Sequence, residues 1–175
     1  MGDTSRRIGL GRADLGSGTE RADHAPRLAT SSDVEAVAGL LHDFNREFDV
    51  ETPGAEVLAA RLRSLLAGDE TLAIVAGAPA VATALVTLRP NVWHDGPVAL
   101  LDELYVVPRL RGEGVGSAII EHLFLVARTM GVELIEINVD EDDRDARRFY
   151  ERHGFSATDP ATGEAARYYS RELAS

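Results

Sequence analysis

Three glycines at alternate positions, Gly112, Gly114 and Gly116, separate an apolar run ending at Val107 from a stretch carrying Ile119, Ile120, Leu123, Phe124 and Ala127. The run reads as a strand and the stretch as an amphipathic helix. The glycines remove side chains where a backbone must approach a partner closely. A helix starting near Gly116 presents unpaired N–H groups and the positive end of its dipole. Loop and helix end together form an anion site suited to a pyrophosphate, with Arg111 adding a fixed positive charge beside it. Glycines that serve only tight turns are the plain alternative. The dinucleotide fingerprint G-x-G-x-x-G fits poorly, because the spacing is G-x-G-x-G and Pro108 to Arg111 stand between it and the strand. A P-loop needs a lysine, and this chain has none.

Around that segment the pattern alternates between strand and helix. A short strand is expected at Arg27 to Thr30, then a helix capped by Ser32 or Asp33 with Val34, Val37, Leu41, Phe44 and Phe48 on one face. A second helix follows Pro53-Gly54 and carries Leu58, Leu62, Leu65 and Leu66. Thr71 to Ala76 and Val81 to Leu88 read as strands joined by a hairpin turn at Gly77 to Pro79. Val98 to Val107 is a further strand, interrupted by Asp102 and Glu103, and Arg89 to Pro97 is a loop. Beyond the glycine loop come a helix closed by Gly131, a strand at Val132 to Val139, a helix at Asp143 to His153 and a last strand at Arg167 to Leu173. The expected fold is α/β, with a mainly antiparallel first half and a crossover helix between the strands ending at Val107 and Val139. Residues 1–25 lack apolar periodicity and read as a disordered tail, leaving 26–175 as one domain.

The net charge of −11 falls entirely on residues 26–175, since the four Arg of the first 25 residues balance four acidic groups. An acidic body repels nucleic-acid phosphates and favours cationic small partners, although acidity can also serve solubility alone. Cysteine is absent, which excludes disulfides, thiolate metal sites and a cysteine acyl-enzyme. The five histidines lack the close spacing of a helical zinc motif, so no metal is expected. No apolar run is long enough for a membrane helix, and no apolar stretch follows Arg6 and Arg7 as a secretory signal would need; a cytoplasmic protein is expected.

The segment Val-Val-Pro-Arg-Leu-Arg-Gly-Glu-Gly-Val-Gly-Ser from Val106 resembles the pyrophosphate motif of the GNAT N-acetyltransferase superfamily, R/Q-x-x-G-x-G/A, at Arg111, Gly114 and Gly116. Asp143 to Phe155 resembles that family's N-x-x-A-x-x-F-Y-E-x-x-G-F segment. With the element order, the resemblance covers roughly six-sevenths of the chain. It implies a GNAT-like central twisted mixed sheet with helices on both faces and two strands splayed at the acyl-CoA site. Acetyl-CoA would be the co-substrate. Its pantetheine would pair with the backbone of Leu104, Tyr105, Val106 and Val107, and its pyrophosphate would meet Arg111, Gly112, Glu113, Gly114, Val115, Gly116 and Ser117. An amide at Leu104 or Val106 would polarise the thioester carbonyl.

The same resemblance implies transfer of acetyl to a primary amine by direct attack in a ternary complex, with Tyr150 as general acid to the departing thiolate. An aromatic pair that merely packs the last helix is the alternative for Phe149-Tyr150. Glu103 is the preferred base and Asp102 the second candidate, since adjacent strand residues face opposite sides; either could instead bind a cationic substrate or pair with an arginine. Some relatives place a glutamate where this chain has Asn138, which cannot act as a base. Trp93 and His94 sit in a loop that could roof the acceptor site. Ser117 has no neighbouring histidine in sequence and suits phosphate or the helix start better than nucleophilic catalysis. Asp143 stands where the family has an asparagine that contacts the cofactor, so the resemblance implies a cofactor-binding position there; it retains the capping role, while its charge is unfavourable beside CoA phosphates. A module that binds acyl-CoA without turnover is the alternative function. The expected partner is a small cationic amine, without nucleic acid or membrane, and a homodimer is left open.

Overall fold

The computed structural model describes residues 24–159, 161–167, 169–171 and 173. The tail expected over 1–25 lies outside them except for its last two residues. Among the described residues nine helices and strands follow in order: β1 Pro26–Leu28, α1 Val34–Glu47, α2 Ala55–Leu65, β2 Thr71–Ala76, β3 Ala82–Arg89, β4 Val98–Val106, α3 Val115–Thr129, β5 Leu134–Ile137 and α4 Arg144–Arg152. The five strands form one sheet in sequence order, antiparallel except for the parallel β4–β5 pair joined by the α3 crossover. Among the described residues no helix is long and apolar enough to cross a membrane.

Strand alternation divides the sheet between two cores. Ile74, Ala84, Val86, Ala99 and Leu101 face α3 and pack on Val115, Ile119, Ile120 and Leu123. Ala73 and Val75 face the other way, onto Val34, Val37, Ala38 and Leu41 of α1 and Ala59 and Leu62 of α2. Those α1 residues repeat at the helical period, so one stripe covers the sheet. Each fully buried Ile or Leu contributes about 1.5–3 kcal/mol of transfer free energy. Thr83, fully buried, donates its hydroxyl to the Ile74 carbonyl at 3.1 Å and so costs little.

Two expectations change. The lead into α1 is a 3-10 turn at Ser31–Asp33, capped by Thr30; Asp33 returns its carboxylate to the Thr30 amide at 2.8 Å and to Arg27 at 2.6 and 2.7 Å. The last strand expected at Arg167 to Leu173 is not seen among the described residues: 167, 169–171 and 173 are in no strand, and residues 168 and 172 lie outside the described set. The C-terminal chain instead bridges Thr158 to Ala165, folding back on itself rather than along β5, and Tyr169 and Leu173 bury no apolar face.

The loop at 90–97 is pressed against the turn after α3. A methyl group on Gly96 would collide with the carbonyl of Gly131. Gly96→Ala is therefore expected to destabilise the protein by about 1–3 kcal/mol, seen as a lower denaturation midpoint at unchanged slope.

Candidate active site

The parallel β4–β5 pairing covers only Val98 to Leu101, opposite Leu134 to Ile137. Beyond it β4 continues to Val106, still paired with β3 but not with β5. The sheet therefore opens between residues 102–106 and the chain leaving β5 at Asn138, which is exposed and follows the last paired residue. The Val107 amide donates to Val81 at 3.0 Å, toward the β3 side. By strand alternation the amides of Leu104 and Val106 point into the opening, while the Leu104 and Val106 side chains pack on the α3 core.

At the mouth of the opening β4 carries a bulge. Leu85 faces Glu103 and Val86 faces Leu101, which leaves Asp102 without an opposite residue. The alternation that would send Asp102 and Glu103 to opposite faces is broken here. Glu103 lies opposite Leu85, on the α1–α2 side. Asp102 accepts a 2.6 Å hydrogen bond from the Thr87 hydroxyl, and Thr87 shares the face of Leu85. Two carboxylates thus occupy one face at the start of the opening. Burial, and then the charge of Asp102, push the Glu103 carboxyl above the ordinary carboxylate range.

Tyr150 reaches this region from α4. Its ring lies 5.0 Å from Phe149 and 5.5 Å from Phe155, edge to face in each case. Burial first, then the negative charges of Asp143 and Glu103, raise its phenol well above the usual tyrosine value. The phenol stays protonated and lies within electrostatic reach of Glu103. Asp143 caps α4, its Oδ1 accepting the Ala146 amide at 2.9 Å, as its sequence position implied.

The glycine loop follows a short 3-10 turn at Pro108–Leu110. Gly112 and Gly114 have φ of 79° and 85°, and a Cβ on either would meet nothing within 4 Å. Both face open space in conformations that side chains resist. Gly116 differs: its Cβ would sit 3.4 Å from the Phe149 ring, so it sets how closely α3 approaches α4. Val115 is buried and anchors the loop in the core, Glu113 is exposed, and Ser117 lies in the first turn of α3. The bond from Ala118 N–H to Gly114 C=O, 3.0 Å, is the first of the helix. The amides of Val115, Gly116 and Ser117 precede it and have no intrahelical acceptor. Open glycine surface and aligned amides fit a pyrophosphate.

Arg111 does not stand free beside this loop. Its two terminal nitrogens donate to the two carboxylate oxygens of Glu47 at 2.5 and 2.7 Å, and Nε donates to the Val106 carbonyl at 3.0 Å. The guanidinium also lies 5.6 Å from the centre of the Tyr105 ring. Sequence reasoning missed Glu47, which is 64 residues away and shows no motif. The loop with Trp93 and His94 does not roof the opening. It precedes Val98, at the other end of β4, where His94 bonds Glu133 at 3.0 Å and Trp93 is exposed. A 370 Å³ cavity at that end is lined by Asp69, Glu70, Arg89, His94 and Asp95, away from every motif residue.

Comparison with known proteins gives a consistent result. A family model described as acetyltransferase (GNAT) family matches residues 37–155. A solved structure from Arthrobacter sp. FB24, assigned as an acetyltransferase, is 46% identical with a TM-score of 0.80, and the match covers 98% of this chain and 100% of that one. The aminoalkylphosphonate N-acetyltransferase of Salmonella typhimurium is 37% identical over 65 residues, 37% of this chain and 42% of that protein, so the match spans less than half of that relative. The uncharacterized N-acetyltransferase YhfO of Bacillus subtilis is 25% identical over 74% of this chain and 87% of its own length.

The raised carboxyl of Glu103 has a consequence for stability. A carboxyl raised on folding favours the fold fully below its unfolded pKa of about 4.3, and that contribution is lost as pH rises through the folded value. Glu103→Gln is expected to raise the melting temperature at pH 7 and to leave it little changed near pH 3. An equal shift at both pH values would show that ionisation of Glu103 is not the cause.

Proposed function

The chain belongs to the acetyltransferase (GNAT) family, and we propose that this enzyme transfers the acetyl group of acetyl-CoA to a small cationic primary amine by direct attack in a ternary complex. The observation that carries the reading is the opening between β4 and β5, at which the two inward amides, the carboxylate pair, Tyr150 and the glycine loop converge.

Acetyl-CoA supplies an acyl group activated as a thioester. The amides of Val115, Gly116 and Ser117 hold the pyrophosphate, with Gly112 and Gly114 allowing close approach. The backbone of Leu104 to Val107 lines the opening for the pantetheine. The Leu104 or Val106 amide donates to the thioester oxygen, where negative charge develops. An attacking amine must be neutral. Glu103 accepts its proton, and its raised carboxyl is a stronger base than an exposed glutamate. Asp102, bonded to Thr87, keeps that basicity high by its charge. Tyr150 donates a proton to the departing sulfur, and its buried phenol holds that proton at any working pH.

The acidic lining indicates the acceptor. Asp102 and Glu103 share a face, and Asp43 of α1 adds its charge near Tyr105, two residues further along β4. This field concentrates cations. The Salmonella relative is named for a small amine, which supports that acceptor class, although a phosphonate tail would be repelled here.

Acetyl-CoA turnover over a panel of polyamines, aminoglycosides and free α-amines, read by thiol release, is expected to find a cationic acceptor. Bound acetyl-CoA without release for any amine would leave a binding module instead. In that assay Tyr150→Phe is expected to lower kcat by about 10²-fold with little change in acetyl-CoA affinity; an undiminished rate removes Tyr150 from the chemistry. Gly114→Asp keeps a residue that tolerates positive φ but sets a carboxylate against the phosphates. Calorimetric titration is expected to show acetyl-CoA binding lost while the circular dichroism spectrum persists.

A further inference from the structure

We propose that Arg111 is a positioning residue rather than a phosphate ligand: through Glu47 it ties the end of α1 to the open part of β4, fixing the acceptor side of the opening against the donor side. The inference rests on the acetyl-CoA reading above. Each of the three guanidinium nitrogens already donates, two to the Glu47 carboxylate and one to the Val106 carbonyl. Paired N–H···O bonds of this fork geometry are the strong, directional kind. Arg111 holds Glu47 below the ordinary carboxylate range, so the partner remains ionised across working pH. A guanidinium neutralised in this way offers phosphate little net charge. Pulling it away would leave the Glu47 charge facing the same phosphates.

The contact is continuous with the aromatic packing under it. Arg111 covers Tyr105, Tyr105 lies 5.4 Å from Phe44 of α1, and Phe44 lies 5.3 Å from Phe48. Phe48 begins the connection to α2, residues 48–54, in which Phe48 and Val50 are both more than half exposed. That connection has little burial of its own, so its position depends on where α1 ends. Glu47 is the last residue of α1.

Arg111→Gln, Arg111→Lys and Glu47→Gln separate this role from phosphate binding. Lysine keeps the charge but not the fork. With acetyl-CoA as the titrant, both Arg111 variants are expected to change Kd by less than about threefold. Amide hydrogen exchange is expected to rise over residues 44–54 alike in all three variants, without rescue by lysine. With the amine turned over fastest in the screen above, Glu47→Gln is expected to raise KM by about fivefold or more, with kcat held within about twofold. The proposal is overturned if Arg111→Gln weakens acetyl-CoA by about tenfold or more, lysine restores it and Glu47→Gln tightens it. Wild-type protein that binds no acetyl-CoA would instead remove the functional reading itself.

Discussion

A strand inside a sheet normally keeps both rows of its backbone hydrogen-bonding groups occupied, and β4 keeps only one beyond Leu101. An open row in the middle of a fold is costly unless something holds the strand in place and a partner fills the gap. The β3 ladder runs on to Val106, and the Leu104 and Val106 side chains remain in the core with Ile119, Ile120 and Leu123 of α3. The same helix whose apolar face secures the strand presents its free amides beside the opening. Packing and the proposed anion site are thus two ends of one element, and neither can be moved without the other.

The bulge at Asp102 adds the second constraint. An extra residue in one strand turns two adjacent side chains to one side. Burial, and then the charge of Asp102 beside it, oppose ionisation of Glu103. Burial, and then the negative charges of Asp143 and Glu103, keep the Tyr150 proton in place. Under the proposed function these groups divide the work: Glu103 takes a proton from the amine, and Tyr150, protonated until the thiolate departs, gives one to the sulfur. The arrangement is held against electrostatic preference, which under the proposed function trades local stability for chemistry.

Much of this was legible in the sequence, and the limits were physical. Apolar periodicity located α1, α2 and α3 because each buries one stripe, as in Val34, Val37 and Leu41. The glycine spacing announced the loop because positive φ and open space leave little else that fits. A bulge has no such signature: Asp102 and Glu103 read as alternating neighbours, and only the pairing with Leu85 and Val86 shows otherwise. Glu47 was invisible because its partner is brought to it by the fold. The loop with Trp93 and His94 carried suitable chemistry, but which end of a strand a loop occupies depends on topology rather than composition. The strand-like run after Arg167 has no partner edge that it joins among the described residues.

The two cores on opposite faces of the sheet share strands but no side chains. Effects of substitutions in separate clusters tend to add rather than interact. Apart from the Glu47–Arg111 contact, the α1–α2 layer can therefore drift in sequence while the α3 layer stays as it is. Under the proposed function, such a chain can over evolutionary time exchange one acceptor for another without rebuilding the half assigned to the donor. Descendants of a common ancestor would then differ most in the first third of the chain and agree most between β4 and α4.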